Sequence, residues 1–201
     1  MNIIHKVNPI VVPFRDDRDL VLAAKDPIGS GISFHGEVQL DHFRRGDRIH
    51  TQIGSNTFTT EGLAYLLNII FGTTSKVASA IWYVGIFKSN VTPALGDTAA
   101  VKLGAAGTYG ECQDADYDAP ATNKPAYTIA ATSTATCTNS ASPATFTMNA
   151  SITVYGAFLS TQAAKTATTG YLMCAKAFSS SRAVIADDVL AVTYAITATT
   201  S

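Results

Sequence analysis

Three aspartates spaced two residues apart make the most suggestive ligand pattern in the chain. Asp114, Asp116 and Asp118 have the spacing of the first ligands of a calcium loop, in which alternating carboxylates share one ion. Such a loop also needs glycine at its sixth position and glutamate at its twelfth. Ala119 and Pro125 occupy those positions here. We therefore interpret the aspartates as a solvated acidic loop and predict no metal site.

The histidines and serines do not form a catalytic pattern. All four histidines precede residue 51, without the HxH or HExxH spacing of metal ligands, and they are His5, His35, His42 and His50. We interpret them as surface or interface residues. No serine lies in a nucleophile elbow, and no glycine-rich phosphate loop is present. The sequence predicts a protein that is not an enzyme, with no catalytic residue and no cofactor.

Arginines and phenylalanines near the N-terminus are the best candidates for contact with another protein. Buried aromatic side chains tend to dominate interface energy, and guanidinium groups pair well with carboxylates of a partner. The candidates are Phe14, Arg15, Phe43, Arg44, Arg45 and Arg48. The nearby Asp41 and Asp47 leave open that the later arginines form a self-neutralised surface patch. Arg45-Gly46-Asp47 also spells the cell-adhesion tripeptide, which is short enough to occur by chance.

The composition argues against several classes of function. Only 14% of the 201 residues are charged, against about 25% in an average soluble domain. The formal net charge of −1 provides no global basic field for nucleic acid or an anionic membrane. No apolar run approaches the length of a membrane span, and the N-terminus lacks a signal-peptide core. The three cysteines lack CxxC spacing, which predicts reduced thiols and folding in a cytoplasm.

One amphipathic helix is predicted to lie among many strands. Apolar residues at i, i+3, i+4 and i+7 predict a helix from Thr60 to Phe71, and they are Leu63, Leu66, Leu67 and Ile70. Thr59 or Thr60 suits the N-cap, and Glu61 suits the positive end of the helix dipole. Gly72 stands where a left-handed C-cap residue is expected.

Strands are predicted wherever apolar residues run continuously or alternate. Ile81 to Phe87 has no polar side, which predicts a strand covered on both faces with Trp82 in the core. Ala144 to Leu159 is predicted as one strand with a bulge near Gly156. The later elements are a strand from Gly170 to Phe178, a polar loop from Ser179 to Arg182, a turn at Asp187 and Asp188, and a last strand from Leu190.

These elements predict a mainly β fold with two regions. Residues 57–201 are expected to form an antiparallel jelly-roll-like β-sandwich with one short helix. Residues 1–56 hold the histidines, three prolines and mixed-sign charge, and are expected to be an extended N-terminal arm without which the sandwich still folds. The alternative is that the arm adds strands to the sandwich's own sheet. The uncharged, threonine-rich segment Tyr127 to Thr136 is predicted to be an edge strand covered by the arm or by another copy.

Several segments together resemble virion proteins of tailed bacteriophages. They are Thr60–Leu67, Trp82–Phe87, Thr92-Pro93 with Gly96–Ala100, Val154–Leu159 and Asp187–Tyr194. Within that group the chain looks most like the jelly-roll cement, or decoration, proteins that bind the outside of capsid shells. The resemblance implies a structural virion protein on the capsid exterior, assembled in the bacterial host cytoplasm. The six interface candidates would then contact the major capsid protein.

The resemblance also implies partners and leaves two alternatives. Other copies of the chain are expected as partners, in a dimer or a trimer, whereas nucleic acid and membranes are not. One alternative is a tail, baseplate or fibre component of the same kind of particle, which would be present in few copies. The other is a carbohydrate-binding β-sandwich module, which would bind isolated glycans.

Overall fold

The computed structural model describes residues 31–74, 82–129 and 134–200. Residues 33–199 form one compact unit. Residues 1–32 with 200–201 form the other, of which only residues 31, 32 and 200 are among those described. Strands dominate the described chain, together with two helices, so the predicted mainly β fold is confirmed.

One sheet has six strands and contains the first hairpin of the described chain. Its strands are β1 (Ile32–Arg44), β2 (Asp47–Ser55), β5 (Tyr117–Ala119), β6 (Thr136–Thr138), β7 (Ala144–Met148) and β10 (Val189–Thr200). Their order is β2-β1-β10-β7-β5, and β6 pairs with β10 beside this path. The strand β2 therefore lies at one edge of the sheet.

The second sheet has four strands, and the two sheets share one hydrophobic core. Its strands are β3 (Thr57–Phe58), β4 (Tyr83–Phe87), β8 (Ile152–Ser160) and β9 (Leu172–Val184), in the order β3-β9-β8-β4. Both sheets are antiparallel. The main core cluster draws side chains from both sheets, among them Leu40, Ile86, Phe146, Leu159 and Val192. The fold is thus a β-sandwich, and jelly-roll connectivity stays a prediction.

The predicted helix is confirmed at both ends and at its N-cap, but its C-cap and its apolar face differ from expectation. Helix α1 runs Thr60–Phe71, and the Thr59 side chain accepts a hydrogen bond from the Gly62 N–H at 3.0 Å. Gly72 is extended rather than left-handed, with φ −99° and ψ −160°, and its N–H donates to Asn68 O. The far end of the predicted apolar stripe is exposed, because no described element covers it, and the exposed residues there are Leu67, Ile70 and Phe71.

A second, short helix is joined to the first by Glu61. This helix, α2, runs Ala99–Lys102. Glu61 Oε2 accepts hydrogen bonds from Ala99 N, the first residue of α2, at 2.8 Å and from Leu172 N of β9 at 2.7 Å. The carboxylate expected to complement the dipole of α1 therefore also joins both helices to the four-stranded sheet.

Replacing Gly62 with alanine is expected to lower the free energy of unfolding by about 1–3 kcal/mol. Alanine normally favours a helix over glycine by about 1 kcal/mol, yet here an added Cβ would collide with the backbone of Met173 in β9. Chemical denaturation measures the change, and Gly96→Ala, where nothing lies within 4 Å of the added atom, is the matched control. A Gly62→Ala protein as stable as the wild type would contradict the close contact between α1 and β9.

The strand predicted from Ala144 to Leu159 is two strands in different sheets. The chain leaves β7 at Met148 and enters β8 at Ile152. Between them Asn149 is fixed by its N–H to Asp116 O and by its side-chain amide to Asp114 O, both at 3.0 Å. The alternating pattern continues across the break, so it did not reveal the change of sheet. The irregularity near Gly156 is confirmed as a register shift between β8 and β9.

The central apolar strand is buried as predicted, whereas its tryptophan is less buried than predicted. The strand β4 is buried from Val84 to Phe87, which confirms that both of its faces are covered. Trp82 is only half-buried. It packs against the main core and meets the ring of Tyr65 in α1 edge-on, with 5.8 Å between centroids.

The predicted polar loop at Ser179–Arg182 is wrong, because β9 continues through it to Val184. Its serines bond to β2 of the other sheet. Ser179 Oγ donates to Gln52 Oε1 at 2.8 Å, and Gln52 Nε2 donates to Ser180 O at 2.9 Å. The predicted turn at Asp187 and Asp188 is confirmed, with Asp187 in the left-handed region at φ +68°.

The second half of the predicted arm lies in the six-stranded sheet. Val38, Leu40 and His42 of β1 are buried and alternate with less buried neighbours. Removing residues 32–55 would therefore take two strands and part of the core from the sandwich. This part of the arm matches the alternative prediction, in which the arm adds strands to the sandwich's own sheet. Residues 1–30, including Phe14 and Arg15, lie outside the described residues.

The predicted edge strand from Tyr127 to Thr136 is described only at its two ends. Tyr127 is buried, and its hydroxyl donates to Cys137 O at 2.9 Å. Thr136 begins β6, which pairs with β10. Residues 130–133 lie outside the described residues, so the covering of this segment remains a prediction.

Candidate functional site

A two-residue turn brings together four of the six predicted contact residues. Arg44 ends β1 and pairs with Asp47, which begins β2. Arg45 and Gly46 form the turn and both have positive φ, +54° and +87°. Positive φ at both positions matches the twist of a two-residue hairpin. The turn therefore places Phe43, Arg44, Arg45 and Arg48 at one end of the hairpin.

A buried carboxylate from the other end of the chain holds this hairpin in place. Asp188 follows the β9–β10 turn and is 1% exposed. Its carboxylate accepts hydrogen bonds from Arg44 Nε at 2.9 Å and from Arg44 Nη2 at 2.7 Å. Its Oδ2 also accepts from His42 Nε2 at 2.9 Å and from Ile185 N at 3.0 Å. The bidentate ion pair fixes Arg44, so this arginine is an anchor of the hairpin rather than a free contact residue.

The charge of Asp188 is stabilised by its partners. The Arg44 guanidinium, followed by the Ile185 N–H and His42, holds the pKa of this carboxyl well below its usual range, against the opposing effect of burial. Contact with Asp188 likewise raises the pKa of Arg44. The ion pair therefore remains charged at neutral pH.

The free arginines of the hairpin are Arg45 and, in large part, Arg48. Within the described part of the chain, no ion pair involves Arg45, which is exposed. Arg48 is 59% exposed and lies 3.7 Å from Asp41. Asp41 already accepts shorter hydrogen bonds from Thr51 and Gln39. The self-neutralised patch was predicted from Asp41 and Asp47, and the contact that fits it is the long one between Arg48 and Asp41. Arg44 is neutralised by the distant Asp188 instead, and Arg45 and most of Arg48 remain exposed to a partner.

Apolar side chains extend this surface along the edge strand. Ile49 and Ile53 of β2 are 47% and 55% exposed, and Phe43 of β1 is half-buried. We define the hairpin surface as five residues: Phe43, Arg45, Arg48, Ile49 and Ile53. It combines positive charge with apolar area on a strand whose outer edge pairs with no other described strand.

The predicted acidic loop is only partly solvated. Asp114 and Asp118 are exposed, but Asp116 is buried. The Asp116 carboxylate accepts hydrogen bonds from Lys88 Nζ at 2.6 Å and from the Gln113 N–H at 2.8 Å. Asp116 therefore supports the loop instead of facing an ion, and the described residues contain no group of three or more potential metal ligands.

Two buried lysines join the loops on either side of β5. Lys124 Nζ donates to Glu111 Oε1 at 2.8 Å and to Ala164 O at 2.7 Å, and both charged side chains are inaccessible to solvent. Lys165 Nζ donates to Tyr117 O at 2.8 Å and is 2.9 Å from Asp114. These lysines have structural partners, so they are not free to bind a ligand.

The cysteines match the prediction of reduced thiols. All three are unpaired, with Cys112 and Cys174 buried and Cys137 half-buried. Burial raises the pKa of the Cys112 and Cys174 thiols, so neither thiol is activated as a nucleophile.

Sequence reasoning missed the polar residues that fix the hairpin. His42 was grouped with surface histidines, but it is buried beside Asp188 and Arg182. One signal was available, because His42 continues the buried series of Val38 and Leu40 at period two. No local signal connects it to Asp188, which lies 146 residues away.

Comparison of the chain with protein-family models, curated proteins and solved structures finds no match. Among the described residues, no helix has the length and apolar character required to cross a membrane.

Proposed function

We propose that the protein is a structural virion protein that binds the outer surface of a phage capsid and joins neighbouring capsid subunits. In this proposal the hairpin surface is part of its contact with the major capsid protein. The observation that carries the proposal is a hairpin anchored by the Arg44–Asp188 ion pair that presents Arg45 and Arg48 beside exposed isoleucines. The partner chemistry that fits this surface is a carboxylate-bearing patch next to an apolar one.

Rigidity supports a binding role because an anchored surface loses little conformational entropy on association. The turn is short, and Arg44 is tied to a buried carboxylate at the far end of the chain. Arg45 and Arg48 therefore project from a fixed backbone. Two long side chains still have to be ordered, at about 0.5–1.5 kcal/mol each.

The hairpin surface alone is too small for a stable complex. A standard specific interface buries about 800 Å² on each partner and involves about 20–30 residues a side. Five side chains fall well short of this, so further contacts have to contribute. Phe14 and Arg15 remain candidates for them, and they lie outside the described residues.

Self-association is part of the proposal, as a dimer or a trimer on the shell. Leu67, Ile70 and Phe71 at the end of α1 are exposed, and Phe71 is 82% so. The described residues from Leu63 to Thr74 include no charged side chain. Two identical faces of this kind would meet without charge repulsion, which favours other copies over an ionic partner.

The segments that resemble virion proteins build the framework of the sandwich. Thr60–Leu67 lies in α1, and Val154–Leu159 lies in β8. Trp82–Phe87 contains β4, and Asp187–Tyr194 leads from the β9–β10 turn into β10. The resemblance therefore concerns the scaffold, while the hairpin surface provides the contact chemistry.

Neutralising the free arginines is expected to weaken binding to bare capsids about tenfold or more. The variant is Arg45→Gln with Arg48→Gln, measured by pull-down of the full-length protein at several concentrations. A variant with Thr122→Asp and Asn123→Asp makes the same change of net charge on an exposed loop and is expected to bind like the wild type. Equal weakening by both variants would point to general electrostatics and would contradict a contact role for the hairpin surface.

Copy number separates the capsid proposal from a tail, baseplate or fibre role. A cement protein is expected in numbers comparable to the capsid subunits, as quantitative gels of purified particles would show. A few copies per particle would favour the tail. Binding of the isolated protein to a glycan array, without binding to capsids, would instead favour a carbohydrate-binding module.

A further inference from the structure

Two histidines face each other on the inner side of the β1–β2 hairpin. His42 of β1 and His50 of β2 are directly paired in the strand register. His42 is fully buried. His50 is half-buried, and its Nε2 is shielded from solvent and has no hydrogen-bond partner. Inner-facing side chains of β2 lie against β9 of the other sheet, as the bonds of Gln52 show.

The hydrogen bonds of His42 define its neutral form. Asp188 accepts from Nε2, and Arg182 of β9 approaches Nδ1 with its Nε at 3.4 Å and its Nη2 at 3.3 Å. Because a guanidinium can only donate, Nδ1 has to accept and the ring proton sits on Nε2.

The groups around the two rings are mainly cationic. From β1 they include Arg44, and from β9 they include Arg182. The one carboxylate facing this cluster among the described residues is Asp188, and Arg44, His42 and Ile185 N already occupy it. Asp41 bonds to Thr51 and Gln39 instead. A proton added to His50 therefore gains no free acceptor.

These surroundings set the direction of the pH dependence. Burial, followed by the charges of Arg182 and His42, lowers the pKa of His50. The fold therefore binds the neutral ring more strongly than the protonated one. An unfolded histidine takes up its proton near pH 6.5. The stabilisation is complete above that pH and is lost as the pH falls below it.

We propose that His50, packed against His42 and Arg182, forms an acid-sensitive clasp, whose protonation below about pH 6 loosens the β1–β2 hairpin from β9. The device follows from the placement of the two rings between fixed cations, and it does not depend on the proposed function. The carboxylate of Asp188 stays charged in this range, since its own pKa is held low. Acid loosening therefore begins at His50 and not at the Arg44–Asp188 ion pair.

The test compares full-length wild type, His50→Gln and His35→Gln at about pH 7.5 and about pH 5.5. His35 lies in the same hairpin but is exposed, so it is the matched control. The melting temperatures of the wild type and of His35→Gln are expected to fall by about 2–4 °C on acidification. The melting temperature of His50→Gln is expected to fall clearly less. Amide exchange, corrected for its intrinsic pH dependence, is expected to rise in β1 and β2 before it rises in β7.

A second variant tests the cause of the effect. Arg182→Gln removes the cation that faces both rings, so its melting temperature is expected to depend less on pH in this range, whatever its stability at pH 7.5. The proposal fails if the wild type melts at the same temperature at both pH values. It also fails if His50→Gln and His35→Gln lose stability equally, or if acid exchange begins in β7 rather than in the hairpin.

Discussion

Replacing Asp188 with asparagine is expected to lower the free energy of unfolding by about 3 kcal/mol. The change removes the negative charge that holds Arg44 and His42, and it puts an amide NH₂ donor in place of one of the two accepting oxygens. The value lies at the lower end of the range for a broken buried ion pair, because Arg44 is 37% exposed and can be solvated again. Urea denaturation at pH 7 measures the effect.

The adjacent aspartate provides a matched control. Asp187 is exposed and has φ +68°, a conformation that asparagine tolerates well. Asp187→Asn makes the same chemical change one residue away and is expected to alter stability by about 0.5 kcal/mol or less. Similar losses in both variants would show that the turn itself, and not the bonds of the Asp188 carboxylate, determines the effect.

The loss in Asp188→Asn should also depend on pH with a definite sign. Because its partners lower the pKa of Asp188, the stabilisation is present above the unfolded value of about 3.9. It is lost as the pH falls through the lower pKa of the folded state. The gap between wild type and variant is therefore expected to be constant from pH 7 to about pH 5 and to narrow towards pH 2.

Removing either member of the Glu111–Lys124 pair is expected to cost about 3–5 kcal/mol. Both side chains are fully buried, so the remaining charge cannot be solvated. Burial raises the pKa of Glu111 and lowers the pKa of Lys124, which shows that desolvation opposes both charges and that each depends on the other. Glu111→Gln and Lys124→Met test the two sides by denaturation.

The double variant separates the ion pair from the packing around it. Glu111→Gln with Lys124→Met is expected to lose less than the sum of the single losses, by about 1–3 kcal/mol. Some loss remains because the Ala164 carbonyl, which Lys124 also bonds, is left without its donor. Arg48→Met, at an exposed pair 3.7 Å apart, should cost about 1 kcal/mol or less. Additive losses at Glu111 and Lys124 would contradict a coupled pair.

Local sequence patterns determined the elements that depend on near neighbours. The helix Thr60–Phe71 follows from the spacing of its apolar residues and from the capping threonine before it. The buried strand β4 follows from a run without polar residues, and β10 from alternation that places Leu190, Val192 and Tyr194 in the core. In each case the signal and the structure span the same few residues.

The same patterns were less informative where one periodicity continued across a structural change. The alternation from Ala144 to Leu159 gave no sign that the chain passes between sheets at Asn149, because the apolar residues at Phe146, Met148, Ile152 and Val154 keep the same spacing across the break. Ser179 to Arg182 looked like a loop because its side chains are polar. In the structure two of these serines are bonded by Gln52, which lies 127 and 128 residues earlier in the chain.

The candidate site likewise contains some residues that the sequence identified and others whose roles depend on the tertiary structure. The sequence alone marked Arg45 and Arg48 as contact candidates, because charged side chains are expected at the surface, and left open that Asp41 and Asp47 neutralise them. Only the tertiary structure decided that Arg44 anchors the hairpin and that His42 is buried between Arg182 and Asp188. The physical reason is that a buried charge or imidazole is defined by its partners. Here Asp188 reaches Arg44 and His42 because β1 and β10 are neighbours in the six-stranded sheet, and Arg182 reaches His42 because β9 of the other sheet packs over the core.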